Sequence, residues 1–171
     1  MKRELLELKS RVKSLEDLRK KLLKLKAIHI VTLRQVDTYF NSPKGKFKIR
    51  QVDNQEKAKL IFYCREFVYG PKRNEAILID ITEPESFKEF FQKSLGILII
   101  VDKEREIYTF KKTQIHLDKV QNLGKFIEFE RIITNLKKDK RTLEILMKNL
   151  QIQQKDLIQG SYCDLMMEQN Q

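Results

Sequence analysis

Apolar and polar positions alternate with a period of two through most of this chain, the pattern of strands with one buried face, and only a few windows lengthen to the helical period. The alternation predicts strands over residues 5–12, 30–39, 46–52, 59–65, 97–110, 113–120 and 125–133, and an apolar stretch at 76–81 adds another. Turn chemistry separates them: NSPKG at 41–45, DNQE at 53–56 and the tight QNLG before Lys125. Ser14 followed by Asp17 predicts a helix N-cap, with a helix over 15–26 striped by Leu15, Leu18, Leu22 and Leu25. Thr82 with Glu85 opens a second helix that carries Phe87, Phe90, Phe91 and Leu95, the phenylalanines expected in the core, and Gly96 ends it. Two closing helices are expected at about 140–150 and 161–168, and the segment EFVYGPKRNE, 66–75, is expected as a basic loop. Many strands with few helices make an α+β fold built on an antiparallel sheet or barrel.

The polar positions carry a second pattern. In KFIEFERII, 125–133, Glu128 and Glu130 share one face while Ile127, Phe129 and Arg131 share the other. The ordinary reading turns the acids to water; if instead they face inward, Arg131 on the opposite face has to reach solvent. Other strands keep the same phase: Glu7, Lys9 and Arg11; Gln35 and Asp37; Lys46, Lys48 and Arg50; Lys59 and Arg65; Lys103 and Arg105; His116 and Asp118. Signs segregate by strand, with bases in the middle of the chain and acids in the last two strands. If the sheet closes, every charged face can point into one lumen while the apolar faces pack outward, and about eight strands enclose room for one small ligand. Burying such charges is prohibitive unless they pair with one another, with a metal or with a strongly charged ligand. Lys and Arg suit phosphate oxygens, and carboxylates two residues apart on a strand suit Mg2+ or Mn2+, so the pattern points to a metal–polyphosphate site.

Composition narrows the partner. The 171 residues fit one domain, 1–171, and 35 Lys and Arg against 24 Asp and Glu leave a formal charge of +11, which favours an anionic partner: nucleic acid, nucleotide or polyphosphate. The basic strands are not interleaved with exposed aromatic platforms, which disfavours nucleic acid. Cys64 and Cys163 form no metal-ligand spacing and are expected as reduced thiols. No apolar run is long enough for a membrane span and the charged start offers no secretory signal, so the cytoplasm is the expected location.

The ordered series LLELK (5–9), QVDTYF (35–40), KIR (48–50), LIFYCR (60–65), VDKEREIY (101–108), IHLDKVQNLGKFIEFE (115–130) and GSYCDLM (160–166) resembles the CYTH superfamily, or triphosphate tunnel metalloenzymes. That superfamily includes class IV adenylyl cyclases and thiamine or inorganic triphosphatases. The resemblance covers nearly the whole chain, and the QxDTYF, GPK and IHLD wording is similar to the class IV branch. It implies a closed antiparallel β-barrel of about eight strands forming a charged tunnel, with helices packed outside. It further implies Mg2+ or Mn2+ on Glu7, Glu128 and Glu130 with Asp118 close by, and phosphates on Lys9, Lys48, Arg50, Arg65, Lys103 and Arg105. Lys72, in GPKRN, would come from a mobile loop over the tunnel mouth. Glu7, Lys9, Asp118, Glu128 and Glu130 are the implied catalytic set, and a homodimer is compatible with it.

The substrate so implied is ATP or another triphosphate. The first expectation is cyclisation of ATP to cyclic AMP and pyrophosphate. The alternative is an inorganic, nucleoside or thiamine triphosphatase, and a noncatalytic polyphosphate- or RNA-binding module stands third. Several positions depart from the family pattern. Leu5 replaces the first Glu of ExExK, and Glu4, one residue out of phase, is expected to point away from the lumen. Gln114 stands where cyclase-like relatives carry Arg, and Asn74 and Ala76 stand where their loop reads Ser and Tyr.

Overall fold

The computed structural model describes residues 2–170. Eight antiparallel strands close a barrel: β1 (Lys2–Arg11), β2 (Ile28–Phe40), β3 (Lys46–Val52), β4 (Ala58–Arg65), β5 (Lys72–Ile81), β6 (Ile97–Phe110), β7 (Thr113–Val120) and β8 (Gly124–Ile132). Their order around the barrel is β1-β5-β4-β3-β2-β6-β7-β8, with β8 returning to β1. Two meanders, β2 to β5 and β6 to β8, are thus joined along β2–β6, and β1 staples their free edges together. Closure leaves no open sheet edge. Helices α1 (Leu15–Lys24), α2 (Pro84–Leu95), α3 (Leu136–Asn149) and α4 (Tyr162–Gln169) complete the domain.

The apolar faces point outward, and those of β1, β7 and β8 lie beneath helices. Leu15, Leu18 and Leu22 of α1 and Leu143 and Leu146 of α3 pack on Leu6, Leu8, Ile115, Leu117, Ile127 and Phe129. Each such fully buried aliphatic side chain contributes about 1.5–3 kcal/mol. α4 sits differently. Its Tyr162 and Cys163 pack against the inward-facing Tyr39, Tyr63, Val101, Val120 and Phe126, so this helix closes one end of the lumen. Ser161 caps it through a reciprocal pair with Asp164, and Lys46 of β3 reaches Asp164 at 2.6 Å.

Several boundaries differ from the sequence expectation for physical reasons. β5 begins at Lys72, four residues before the expected start, because Lys72 and Asn74 pair with Glu7 and Leu5 across β1. Lys72 therefore stands on a strand and not on a loop over the mouth. α3 begins at Leu136, where the Asn135 side chain accepts from the Lys138 amide. The phenylalanine stripe of α2 is not core: Phe87 and Phe90 are exposed, and only Phe91 sets its ring against Phe40 and Phe47, at 5.5 and 4.7 Å. In the β2–β3 turn, Gly45 lies in the left-handed region at φ 62°, and a Cβ there would stand 2.6 Å from the Tyr63 carbonyl oxygen.

Arg131 does not run out to solvent. Its Nε donates to Asp139 of α3 at 2.6 Å, and its Nη1 donates to the Lys111 carbonyl at 2.7 Å. Asp139 also accepts from the Thr134 and Asn135 amides, both at 2.8 Å, so one carboxylate ties strand to helix and caps the turn between them. Burial opposes its charge, but Arg131 and the two amides bring its carboxyl down from 3.8 to about 2. Asp139→Asn is expected to cost about 1.5–3 kcal/mol at neutral pH, the usual worth of hydrogen bonds to a charged group. Because the folded carboxyl is the stronger acid, that difference is present above pH 3.8 and fades as pH falls toward 2. Urea unfolding of both proteins across that range checks it.

Candidate functional site

The alternating charges face inward. A cavity of about 560 Å3 occupies the lumen, lined by eight Lys and Arg side chains against five carboxylates. That volume lies within the range of small-ligand sites. Two charge networks organise its wall.

Asp37 of β2 is the centre of the first. It accepts from Arg50 at 2.7 and 2.8 Å, from Lys48 at 2.7 Å and from Lys103 at 3.0 Å. Burial by itself would raise its carboxyl, yet Arg50, Lys103 and Lys48 hold it well below the carboxylate range. Burial, with Arg50 and Arg105 nearby, brings the Lys103 ammonium down to about 8. Burial, with Arg50 and Lys103 nearby, lowers Lys48, whose Nζ also reaches the Tyr39 hydroxyl at 3.1 Å. Three cations are thereby gathered on one part of the wall.

The second network runs through β6, β7 and β8. Arg105 donates to Asp118 at 2.7 and 2.6 Å and to Glu128 at 2.8 Å, while the Tyr162 hydroxyl donates to Asp118 at 2.6 Å. Lys9 pairs with Glu128 at 3.0 Å and lies over the Tyr162 ring at 3.7 Å. Glu128 stays ionised well below its ordinary value: burial raises it, and Lys9, with Arg105, more than offsets that. Glu130 is shifted the other way by burial and by repulsion from Glu128 and Glu7. Two carboxylates one turn of the pleat apart thus carry opposite proton affinities.

His116, Glu128 and Glu130 form a group whose ligand atoms all lie within 4.8 Å of one another. The imidazole Nδ1 is buried without a hydrogen-bond partner, and carboxylate with imidazole is a donor set that fits a divalent cation. Glu7 stands opposite Glu130 in the β1–β8 register but is held by Arg65 at 3.0 Å and Asn74 at 2.5 Å, outside that group of three. Leu5 lines the cavity, while Glu4 pairs with Arg73 on the outer face, as its phase predicts. The orphaned Oε1 of Gln35 and Oδ1 of Asn74 also belong to cavity-lining residues. Buried polar atoms without partners mark places where a ligand supplies them.

Lys72 is fully buried, its Nζ donating to the carbonyls of Ile158 and, at 2.7 Å, Gln159. It fastens the segment that leads into α4 and does not line the cavity. From sequence His116 is a hydrogen-bonded lumen residue and not a metal ligand, and Asn74 is only a departure from the family pattern. The signal for His116 was its phase with Asp118; its pairing opposite Glu128 appears only with the register.

Burial, with Arg65 and Lys9 nearby, brings the Lys72 ammonium from 10.5 down to about 7, against the pull of Glu7 and Glu128. Between those values the unfolded chain retains a proton that folded Lys72 has released, so its contribution to stability rises with pH. The stability difference between wild type and Lys72→Met is accordingly expected to move in favour of wild type from pH 7 to 10.5, by urea unfolding; parallel curves would contradict it.

Comparison with known proteins places this geometry. A family model described as CYTH domain matches residues 5–162. A protein of Methanocaldococcus jannaschii named "Putative adenylate cyclase MJ0240" is 32% identical over 99 residues, 55% of this chain and 56% of that protein, so the match spans little more than half of the relative. A solved structure from Pyrococcus horikoshii OT3 superposes with a TM-score of 0.84 at 24% identity, covering 94% of this chain and 98% of that one. A Hippeastrum protein, described as a putative adenylyl cyclase that reveals a dominant triphosphatase activity, superposes with a TM-score of 0.70 at 16% identity over 96% of each chain. At these identities the two structures establish the shared fold.

Proposed function

The chain belongs to the CYTH domain family, and from that premise we propose that it is a metal-dependent enzyme acting on triphosphates, converting ATP to cyclic AMP and pyrophosphate. The observation that carries this reading is the lumen itself: an excess of cations faces a carboxylate–imidazole group inside one closed barrel. A triphosphate supplies the charge that the cations lack, and a divalent cation supplies the charge that the acids lack.

The roles follow from position. Lys48, Arg50 and Lys103, gathered by Asp37, take the terminal phosphate oxygens, and Arg105 and Lys9 lie toward the acids. Arg65 adds a further donor from β4. Glu128 and Glu130, with Glu7 beside them, would hold Mg2+ or Mn2+. Bound there, the ion would supply positive charge that offsets the negative charge of the phosphates. At the end opposite α4, the half-buried Leu5, Leu33, Val52, Leu78 and Ile107 line the cavity as an aliphatic collar suited to a flat base. The base held there and the terminal phosphates held below set the ribose 3′ oxygen in line with the α-phosphorus. A new O–P bond forms as the bond to the pyrophosphate oxygen breaks, and the hydroxyl proton passes to solvent. Catalysis then rests on positioning and on donors fixed before the reaction begins.

A triphosphatase uses the same cradle with water attacking the γ-phosphorus. Two features support it as the second reading: the activity described for the Hippeastrum relative, and the engagement of Asn74 with Glu7, which leaves that side chain less free to read a base. A noncatalytic nucleic-acid module has little support, because the phased cations line the lumen and not an outer face.

Product analysis with ATP, tripolyphosphate and thiamine triphosphate, each with Mg2+ and with Mn2+, tests the proposal. Cyclic AMP with pyrophosphate is the expected result. Orthophosphate alone would replace the cyclase with the triphosphatase, and no turnover of any triphosphate would contradict both. Glu128→Gln and Glu130→Gln are each expected to lower kcat/KM by about a hundredfold or more, the usual cost of removing a group that stabilises transition-state charge.

A further inference from the structure

Glu128 and Glu130 share the lumen wall with a side chain outside the expected metal-binding set. His116 is 2% exposed and lines the cavity. Its Nδ1 lies 3.5 Å from Glu128 Oε2 and 3.9 Å from Glu130 Oε1, and it has no hydrogen-bond partner among the described residues. Those distances are too long for hydrogen bonds.

The other ring nitrogen has an acceptor beside it. Nε2 lies 3.3 Å from Gln114 Oε1, and a neutral ring that donates its Nε2 proton there presents the Nδ1 lone pair to the carboxylates. A lone pair aimed at two acids is repulsive until a cation stands between them. A ring N–H donated to a carbonyl behind it, with the opposite nitrogen turned into the site, is the usual arrangement of a metal-binding histidine.

Size agrees. The three ligand atoms lie within 4.8 Å of one another. Metal bonds of about 2.0–2.2 Å place two ligands of one ion no more than about 4.4 Å apart. A few tenths of an ångström of side-chain movement closes that gap. The ligand supply on β1 gives a reason for the substitute: Leu5 offers no donor, and Glu7 is taken by Arg65 and Asn74.

We propose that His116 Nδ1, Glu128 and Glu130 form the binding site of one divalent ion, and that the nitrogen ligand makes it select Mn2+ over Mg2+. Mg2+ takes oxygen donors and sheds water reluctantly, whereas imidazole suits the transition ions. Its use in catalysis rests on the triphosphate reading above; its existence does not.

The test uses the full chain without substrate. Pulsed electron paramagnetic resonance of bound Mn2+ is expected to show coupling to a directly bound 14N nucleus. His116→Ala should abolish that coupling and weaken Mn2+ binding, measured by titration, by about tenfold or more. His116→Asp, which restores an oxygen donor, should bind without nitrogen coupling and with Mg2+ competing more effectively than in wild type. Bound Mn2+ without 14N coupling in the wild-type protein would overturn the proposal, and so would unchanged Mn2+ affinity in a folded His116→Ala variant. The wild-type spectrum decides even if a variant fails to fold. A chain that shows the coupling but turns over no triphosphate would overturn the enzymatic reading and leave the metal site standing.

Discussion

Asp37 accepts hydrogen bonds from Lys48, Arg50 and Lys103 at 2.7–3.0 Å inside a closed barrel, and the rest of the structure depends on that neutralisation. Without it, three cations would confront one another inside the barrel. A buried charge that loses its partner costs several kcal/mol, whereas a paired one is tolerated. The Arg105–Asp118–Glu128 chain does the same service on the adjoining wall, and the Tyr162 hydroxyl completes Asp118. These pairings let a barrel turn its polar faces inward and its apolar faces out, the inverse of an ordinary antiparallel sheet.

The inversion accounts for the architecture around it. Because the outer faces of β1, β7 and β8 are apolar, α1 and α3 cover them, and their leucines form the main core. Because the lumen is wet and charged, one end must be sealed. α4 seals it with Tyr162 and Cys163, fastened by Lys72 on the preceding carbonyls and by Lys46 on Asp164. The pairing is also incomplete in a useful sense. Cations outnumber carboxylates on the cavity wall, and the buried atoms of Gln35, Asn74 and His116 without partners all belong to residues that line it. The folded protein has satisfied its charges just far enough to stand, and a metal-bound polyanion would satisfy those that remain.

Much of this was legible from residue alternation. Lys48 and Arg50, Lys103 and Arg105, and Glu128 and Glu130 occur in phase on their strands, and the barrel sets all six on its cavity wall. What alternation does not contain is register. Lys72 follows Gly70 and Pro71, so local chemistry announces a loop, but pairing with Glu7, 65 positions away in the chain, draws it into β5. Likewise, His116 acquires its position beside Glu128 only from the β7–β8 ladder. The phenylalanines of α2 have helical spacing without a surface to bury them, since only Phe91 reaches Phe40 and Phe47. Arg131 looked solvent-bound because its partner, Asp139, belongs to a helix whose first turn the sequence pattern placed too late.

The central claim is that the inward charges form one cradle for a triphosphate and its metal. A crystal structure of the protein grown with Mn2+ and a non-hydrolysable ATP analogue, with the ion located by its anomalous scattering, tests it most directly. The account predicts Mn2+ against Glu128 and Glu130, phosphate oxygens on Lys48, Arg50 and Lys103, and the base toward the aliphatic collar. Nucleotide bound on the outer surface, with only water among the lumen charges, would contradict it.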